Sequence, residues 1–138
     1  MKLNHECIRD TLLAIESMNY VVENEDEICF EGISLDELAE IINAPKEKYS
    51  RVEIFRALQS LNQGGYIDVS HDCSDDSLEY YIINSITYSG HQFLDTVRDP
   101  TVWKKTKSIV SKVADASLSV TENVAAQVIT NIIDRHMS

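Results

Sequence analysis

Glycine and proline are scarce in this chain, with four and two in 138 residues. That rules out a collagen-like or Gly/Pro-rich low-complexity polymer. Only three cysteines occur, Cys7, Cys29 and Cys73. An odd, widely spaced set is no disulfide framework, and it fits reduced thiols in a reducing compartment. No run approaches the roughly 18 consecutive apolar residues that a membrane span needs. No apolar stretch follows Met1-Lys2-Leu3-Asn4, so no secretory signal is read and cytoplasmic residence is expected. Positive charge is in short supply too: 12 bases face 23 acids, for a net charge of −11. Residues 1–100 carry −13 of this and residues 101–138 carry +2. Such a body repels polyanions, so any nucleic-acid contact has to come from a local basic face.

Catalytic signatures are missing as well. There is no G-x-S-x-G elbow, P-loop or dinucleotide fingerprint. His71-Asp72-Cys73 lacks a second ligand pair at metal-binding spacing, so neither a metal nor another cofactor is expected. His91, within a helical pattern, reads as a partly buried histidine rather than a general base. The chain is expected not to be an enzyme.

A hydrophobic fraction of 43% is enough to build one core at this length. Asn4 is a good N-cap, and Ile8, Leu12 and Ile15 follow on one helical face until about Asn19. Residues 23–27 are nearly all acidic and read as a solvated loop, followed by a short strand, Ile28-Cys29-Phe30. Two capping boxes come next. Ser34-Leu35-Asp36-Glu37 opens a helix to Asn43, and Ser50-Arg51-Val52-Glu53 opens another to Gln63. Pro45 lies between them, and Gly64-Gly65 ends the second.

The period then changes from helical to alternating. Residues 66–70 and 79–83 read as two strands of a hairpin, joined by an acidic turn from His71. Thr87 starts a further helix carrying Phe93, Leu94 and Val97. Helix, strand, helix, helix, hairpin is the order of a winged helix-turn-helix. The expected class is therefore mainly α (α+β), a winged-helix domain over 1–98 with a hairpin wing and a C-terminal helical arm over 99–138.

The arm opens with Asp99 as N-cap and Pro100 at the first helical position. Lys104, Lys105, Lys107 and Lys112 surround Trp103, the expected anchor. Ala114, Leu118, Thr121, Ala125, Val128 and Ile132 then fall at heptad intervals. This seam suits an arm that folds back on its own core, or one that pairs with a second chain in a homodimer. A membrane-surface helix is disfavoured, because the lysines precede the seam instead of flanking it.

In a winged helix the third helix enters the major groove. Here Lys46, Lys48, Ser50, Arg51, Arg56 and Gln59 are the candidate DNA contacts, with Tyr49 and Gln63 beside them. The turn from His71 to Glu79 holds four carboxylates and no base, which opposes phosphate contact. Two partners fit this pattern, DNA through the third helix or a protein with no DNA involved.

Several stretches together resemble an uncharacterised family of small proteins from phages, prophages and bacterial genomes, the domain of unknown function 2513. They are Met1-Lys2-Leu3-Asn4, Cys7-Ile8-Arg9-Asp10, Ile86 to Asp95, Arg98-Asp99, and Val102-Trp103-Lys104-Lys105-Thr106-Lys107. The resemblance implies a bacterial or phage setting and suggests the winged helix. It carries over no site residue.

Overall fold

Asn4 starts the first helix as its residue type predicts. Its side chain accepts from the Cys7 amide at 3.2 Å, and α1 runs over His5–Met18. The chain is described as a computed structural model covering residues 4–18, 21–24, 27–30, 32–44, 46–70, 82–113 and 116–137. Cys7, Ile8, Thr11, Leu12, Ala14 and Ile15 are the buried face of α1. Leu35–Ile42 forms α2 and Arg51–Gln63 forms α3, capped by the Ser34 and Ser50 hydroxyls, which accept from the Glu37 and Glu53 amides. Past α3, Gly65 takes a φ of +80°, a left-handed backbone that suits glycine.

The acidic segment after α1 differs from the expected loop. Val21–Asn24 (β1) and Glu27–Phe30 (β2) pair antiparallel as a separate two-stranded ribbon. The strand that joins the main sheet is Ile33–Ser34 (β3), not residues 28–30. Two residues are too few to show a period. Their pairing with Ile83 and Ile82 is a tertiary contact that only the fold reveals.

Ile67–Ser70 (β4) and Ile82–Ile86 (β5) are antiparallel neighbours, and the three-stranded sheet has the order β3-β5-β4. The register shifts between Asp68 and Val69. The expected acidic wing turn, and residues 79–81 of the expected second strand, lie outside the described residues.

Tyr88–Val97 is α4, with Thr87 as N-cap. Gly90 is required there. A Cβ at this position would lie 2.0 Å from the Tyr66 carbonyl oxygen and 2.6 Å from Ile86 Cγ2. This close approach seats α4 against the end of α3 and the start of β4.

The arm is two helices. Pro100–Val110 (α5) and Leu118–Met137 (α6) pack on each other, and α6 also packs on α4. Trp103, Leu118 and Ala125 belong to the same buried cluster as Leu12, Leu58, Phe93 and Leu94. Of the seam positions, Leu118, Thr121, Ala125 and Val128 are buried and Ile132 is half-buried, while Ala114 lies outside the described residues. Burial of Leu118 and Val128 contributes roughly 1.5–3 kcal/mol each. Ala125 adds little area, and its small side chain lets α6 approach closely. With the seam occupied within its own chain, it is not open to a second one unless α6 leaves the core.

Arg98 ties α1 to α4. Its guanidinium donates to both carboxylate oxygens of Glu16 and to Asp95. The Arg98 hydrogen bonds hold the Glu16 carboxyl below its ordinary value, against a smaller opposing effect of burial.

Two outcomes follow from this packing. Gly90→Ala is expected to destabilise the fold by more than about 3 kcal/mol in chemical denaturation, because backbone atoms must move to admit the methyl. Glu16→Gln is expected to lose less, at most about 1 kcal/mol at pH 7, since the ion pair is partly exposed. A lowered carboxyl pKa stabilises above the unfolded-state value and is lost as pH falls through the folded one. The gap between wild type and Glu16→Gln should therefore close on acidification, as read by melts from pH 7 to pH ~2.5.

Candidate functional site: the exposed face of the third helix

The turn between α2 and α3 is built around one amide. Asn43 Oδ1 accepts from the Lys48 and Tyr49 amides at 2.9 and 3.0 Å, and its Nδ2 donates to the Tyr49 carbonyl at 3.0 Å. The Tyr49 hydroxyl donates to Asp10 of α1 at 2.7 Å. Burial, then the adjoining Asp10 carboxylate, pushes the Tyr49 phenol up, so it stays a donor at any physiological pH. Tyr49 is thus a half-buried anchor, although its place beside the expected interface made it a surface contact on sequence grounds. Pro45 lies outside the described residues.

With the turn fixed, the candidates divide. Lys46 and Lys48 are exposed in the turn. Ser50 is exposed, but its oxygen is committed to capping α3. Arg51 donates to Asp36 at the start of α2 across 2.9 Å, with both side chains largely in solvent. Arg56 and Gln59 face solvent without a polar partner among the described residues.

One contributor escaped the sequence reading. Val52 is 58% exposed, the most exposed aliphatic side chain of α3. With Arg56, Gln59 and Gln63 it makes a solvent-facing stripe at spacings of 4, 3 and 4. The signal was available: Val52 falls off the stripe of Ile54, Leu58 and Leu61 that faces the core.

The surroundings of this stripe are acidic. Asp36, Glu37, Glu40 and Glu47 line a shallow depression along α2 and the turn. On the other side, Glu53 accepts from Asn4 at 3.0 Å, and Glu6 pairs with Lys107 of α5. Among the described residues, carboxylates thus stand both in the first turn of α3 and against Lys107 of α5.

The remaining sequence candidates lie elsewhere. His91 is exposed on α4, not partly buried as its helical setting suggested, because it falls opposite Phe93, Leu94 and Val97. His71 and Cys73 lie outside the described residues. Among the described residues no cluster of His, Cys, Asp or Glu is arranged to hold a metal ion, and no helix is long and apolar enough to cross a membrane.

Cys7 is wholly buried in α1, with Thr11 Oγ1 3.9 Å from its sulfur. Burial pushes its thiol up to about 11. The thiol is therefore protonated at neutral pH and a poor nucleophile.

Residues 2–117 match the family described as Hypothetical protein (DUF2513). This chain belongs to that family. It is also similar to an uncharacterized protein of Haemophilus influenzae, 30% identical over 134 residues, which is 96% of this chain and 99% of that protein. No solved structure matches the chain.

The burial of Cys7 can be checked by alkylation. Iodoacetamide at pH 8 should leave the Cys7 peptide unmodified in the native protein and label it fully in denaturant, as mapped by mass spectrometry. Rapid native labelling would contradict the buried placement.

Proposed function

We propose that this protein is a winged-helix regulator that contacts DNA through α3, reading a few base edges and gripping phosphate weakly. The observation that carries this reading is the stripe Val52, Arg56, Gln59 and Gln63, held clear of the core on a helix whose approach is fixed by Asn43 and Tyr49. The residue types suit a major groove. Arg pairs with guanine, Gln with adenine, and an aliphatic side chain packs on a thymine methyl. Winged-helix architecture is supported by the order α1, β3, α2, α3, β4, β5 and by the antiparallel sheet order β3-β5-β4.

Charge limits the affinity. Arg51 is shared with Asp36, which leaves Lys46, Lys48 and Arg56 for phosphates. Three such contacts give a log–log salt slope of roughly −3, well below that of a strongly basic repressor. Non-specific binding should be near zero.

A second reading is favoured by a different observation. The carboxylates of Asp36, Glu37, Glu40 and Glu47 lie where the helix preceding a recognition helix meets the backbone. That surface suits a winged-helix module that engages a protein instead of DNA, in the phage or bacterial setting its sequence suggests.

Selection from a randomised duplex pool at 50 mM salt separates the two. The DNA reading expects an enriched motif, a mobility shift with the shallow salt slope above, and roughly tenfold or greater weakening by Arg56→Ala or Gln59→Ala. No enrichment, or a shift indifferent to both substitutions, removes α3 as a DNA reader and leaves the protein-binding reading.

A further inference from the structure

The two helices of the arm do not close on each other along their whole length. A groove of about 390 Å³ remains between α5 and the second half of α6. Val128, buried, and Ile132, half-buried, form its floor. Ile109 stands at its edge with 45% of its surface in water. On the α5 side, the other lining residues are Lys105 and Ser108, and neither fills the space that an aliphatic side chain would.

The polar groups of the groove are of one kind. Lys105 and Arg135 are its charged residues, and among the described residues no carboxylate lines it. Asn131 commits its side-chain oxygen to Gln127 Nε2 at 3.2 Å, so its own Nδ2 is left to donate. The ion pairs of the described residues engage Arg51, Arg98 and Lys107, and leave Lys105 without a carboxylate. Asp134, next to Arg135 in sequence, is exposed and does not line the groove. In a chain of net charge −11, this is a place built for an anion.

Direction follows from the hairpin of helices. α5 and α6 pack on each other across a short turn, so they run in opposite senses. Lys105, early in α5, therefore lies towards Arg135, late in α6, and Ile109 lies towards Val128. The groove has a positive end and an apolar end. An α-helix is about 10 Å across and too wide to lie within this volume, whereas one extended hydrocarbon chain fits.

We propose that this groove binds a medium-chain aliphatic acid in its ionised form, with the carboxylate at Lys105 and the hydrocarbon chain along Ile109, Val128 and Ile132. Arg135 adds to the positive potential at the carboxylate end. Covering Ile109 takes exposed aliphatic surface out of water, which supplies most of the affinity. Lys105 sets the sign of the head group and the direction of the chain.

The test titrates the full-length protein, labelled at isoleucine δ1-methyls, with octanoate below its micellar concentration. Parallel titrations use octylammonium, and vesicles of phosphatidylglycerol. The expected result is a saturable shift of the Ile109 and Ile132 methyls with octanoate. Octylammonium should bind at least tenfold more weakly, because its charge is repelled at Lys105. Lys105→Met should weaken octanoate about fivefold, the upper range for an exposed ion pair. Ile109→Ser should weaken it by a similar factor through lost apolar contact. Both replaced residues are exposed, so both variants are expected to melt as wild type does, and if either fails to fold, the wild-type comparison of octanoate with octylammonium decides. The proposal is overturned by unmoved methyls, by equal affinity for the two amphiphiles, or by an octanoate affinity that Lys105→Met leaves unchanged. Binding to vesicles without binding to monomeric octanoate overturns it too, and makes the groove a lipid-surface contact. None of these outcomes bears on α3.

Discussion

Arg9 is the residue on which the two parts of the structure depend. It projects from α1, the central helix, and donates to the carbonyls of Val97 at 2.7 Å and Arg98 at 2.8 Å. Those carbonyls lie at the C-terminal end of α4, where a helix presents unpaired acceptors and partial negative charge. The same guanidinium lies over the Trp103 ring. A planar, always-charged group with a fork of donors does both at once, and lysine cannot. One side chain thereby ends α4 and seats α5, fixing the corner at which the arm turns back. The arm follows: α5 carries Trp103 into the core, and α6 returns across α4 to lay Leu118 and Ala125 on the same cluster.

A second set of side chains fixes the other half. Asp10, the residue after Arg9, accepts from Tyr49 and so holds the turn that Asn43 closes. Adjacent positions on α1 therefore point in two directions, Arg9 to the arm and Asp10 to α3. The Tyr66 hydroxyl links the start of β4 to Glu122 of α6 at 3.3 Å, while its carbonyl meets Gly90 and its ring packs on Phe93 at 5.3 Å. The arm and the helix–sheet core thus share buried side chains and hydrogen bonds, and removing α6 would uncover apolar surface of the core as well as of α5.

The sequence made the helices legible where their chemistry is local. Ser34, Ser50, Thr87 and Asp99 each cap the helix they precede, because a short oxygen-bearing side chain satisfies amides within three residues. What it hid was set by tertiary contact. β3 is too short to carry a period. The acidic ribbon obeys pairing, whereas its composition says loop. The break between α5 and α6 has no Gly or Pro after Pro100 to mark it, so a continuous seam concealed a hairpin of helices. At the candidate interface, the residue types were readable but their commitments were not: the capping role of Ser50, the Arg51–Asp36 pair and the Tyr49–Asp10 bond all need distances. Trp103 was legible as an anchor.

Electrostatics connects these parts. In a chain of net charge −11, three cations are held against carboxylates: Arg51 by Asp36, Arg98 by Glu16 and Asp95, Lys107 by Glu6. In water each of these partly exposed pairs contributes little to stability. Their larger effect is on what the surface offers a partner. A cation already beside a carboxylate has fewer counterions to release to a polyanion, so it gives up part of the general, sequence-independent attraction that basic proteins use. What remains is recognition by shape and by a few unpaired groups. On α3 these are Arg56, Gln59 and an exposed valine. Such a surface offers little unspecific attraction, so a partner has to satisfy those particular groups to outcompete water.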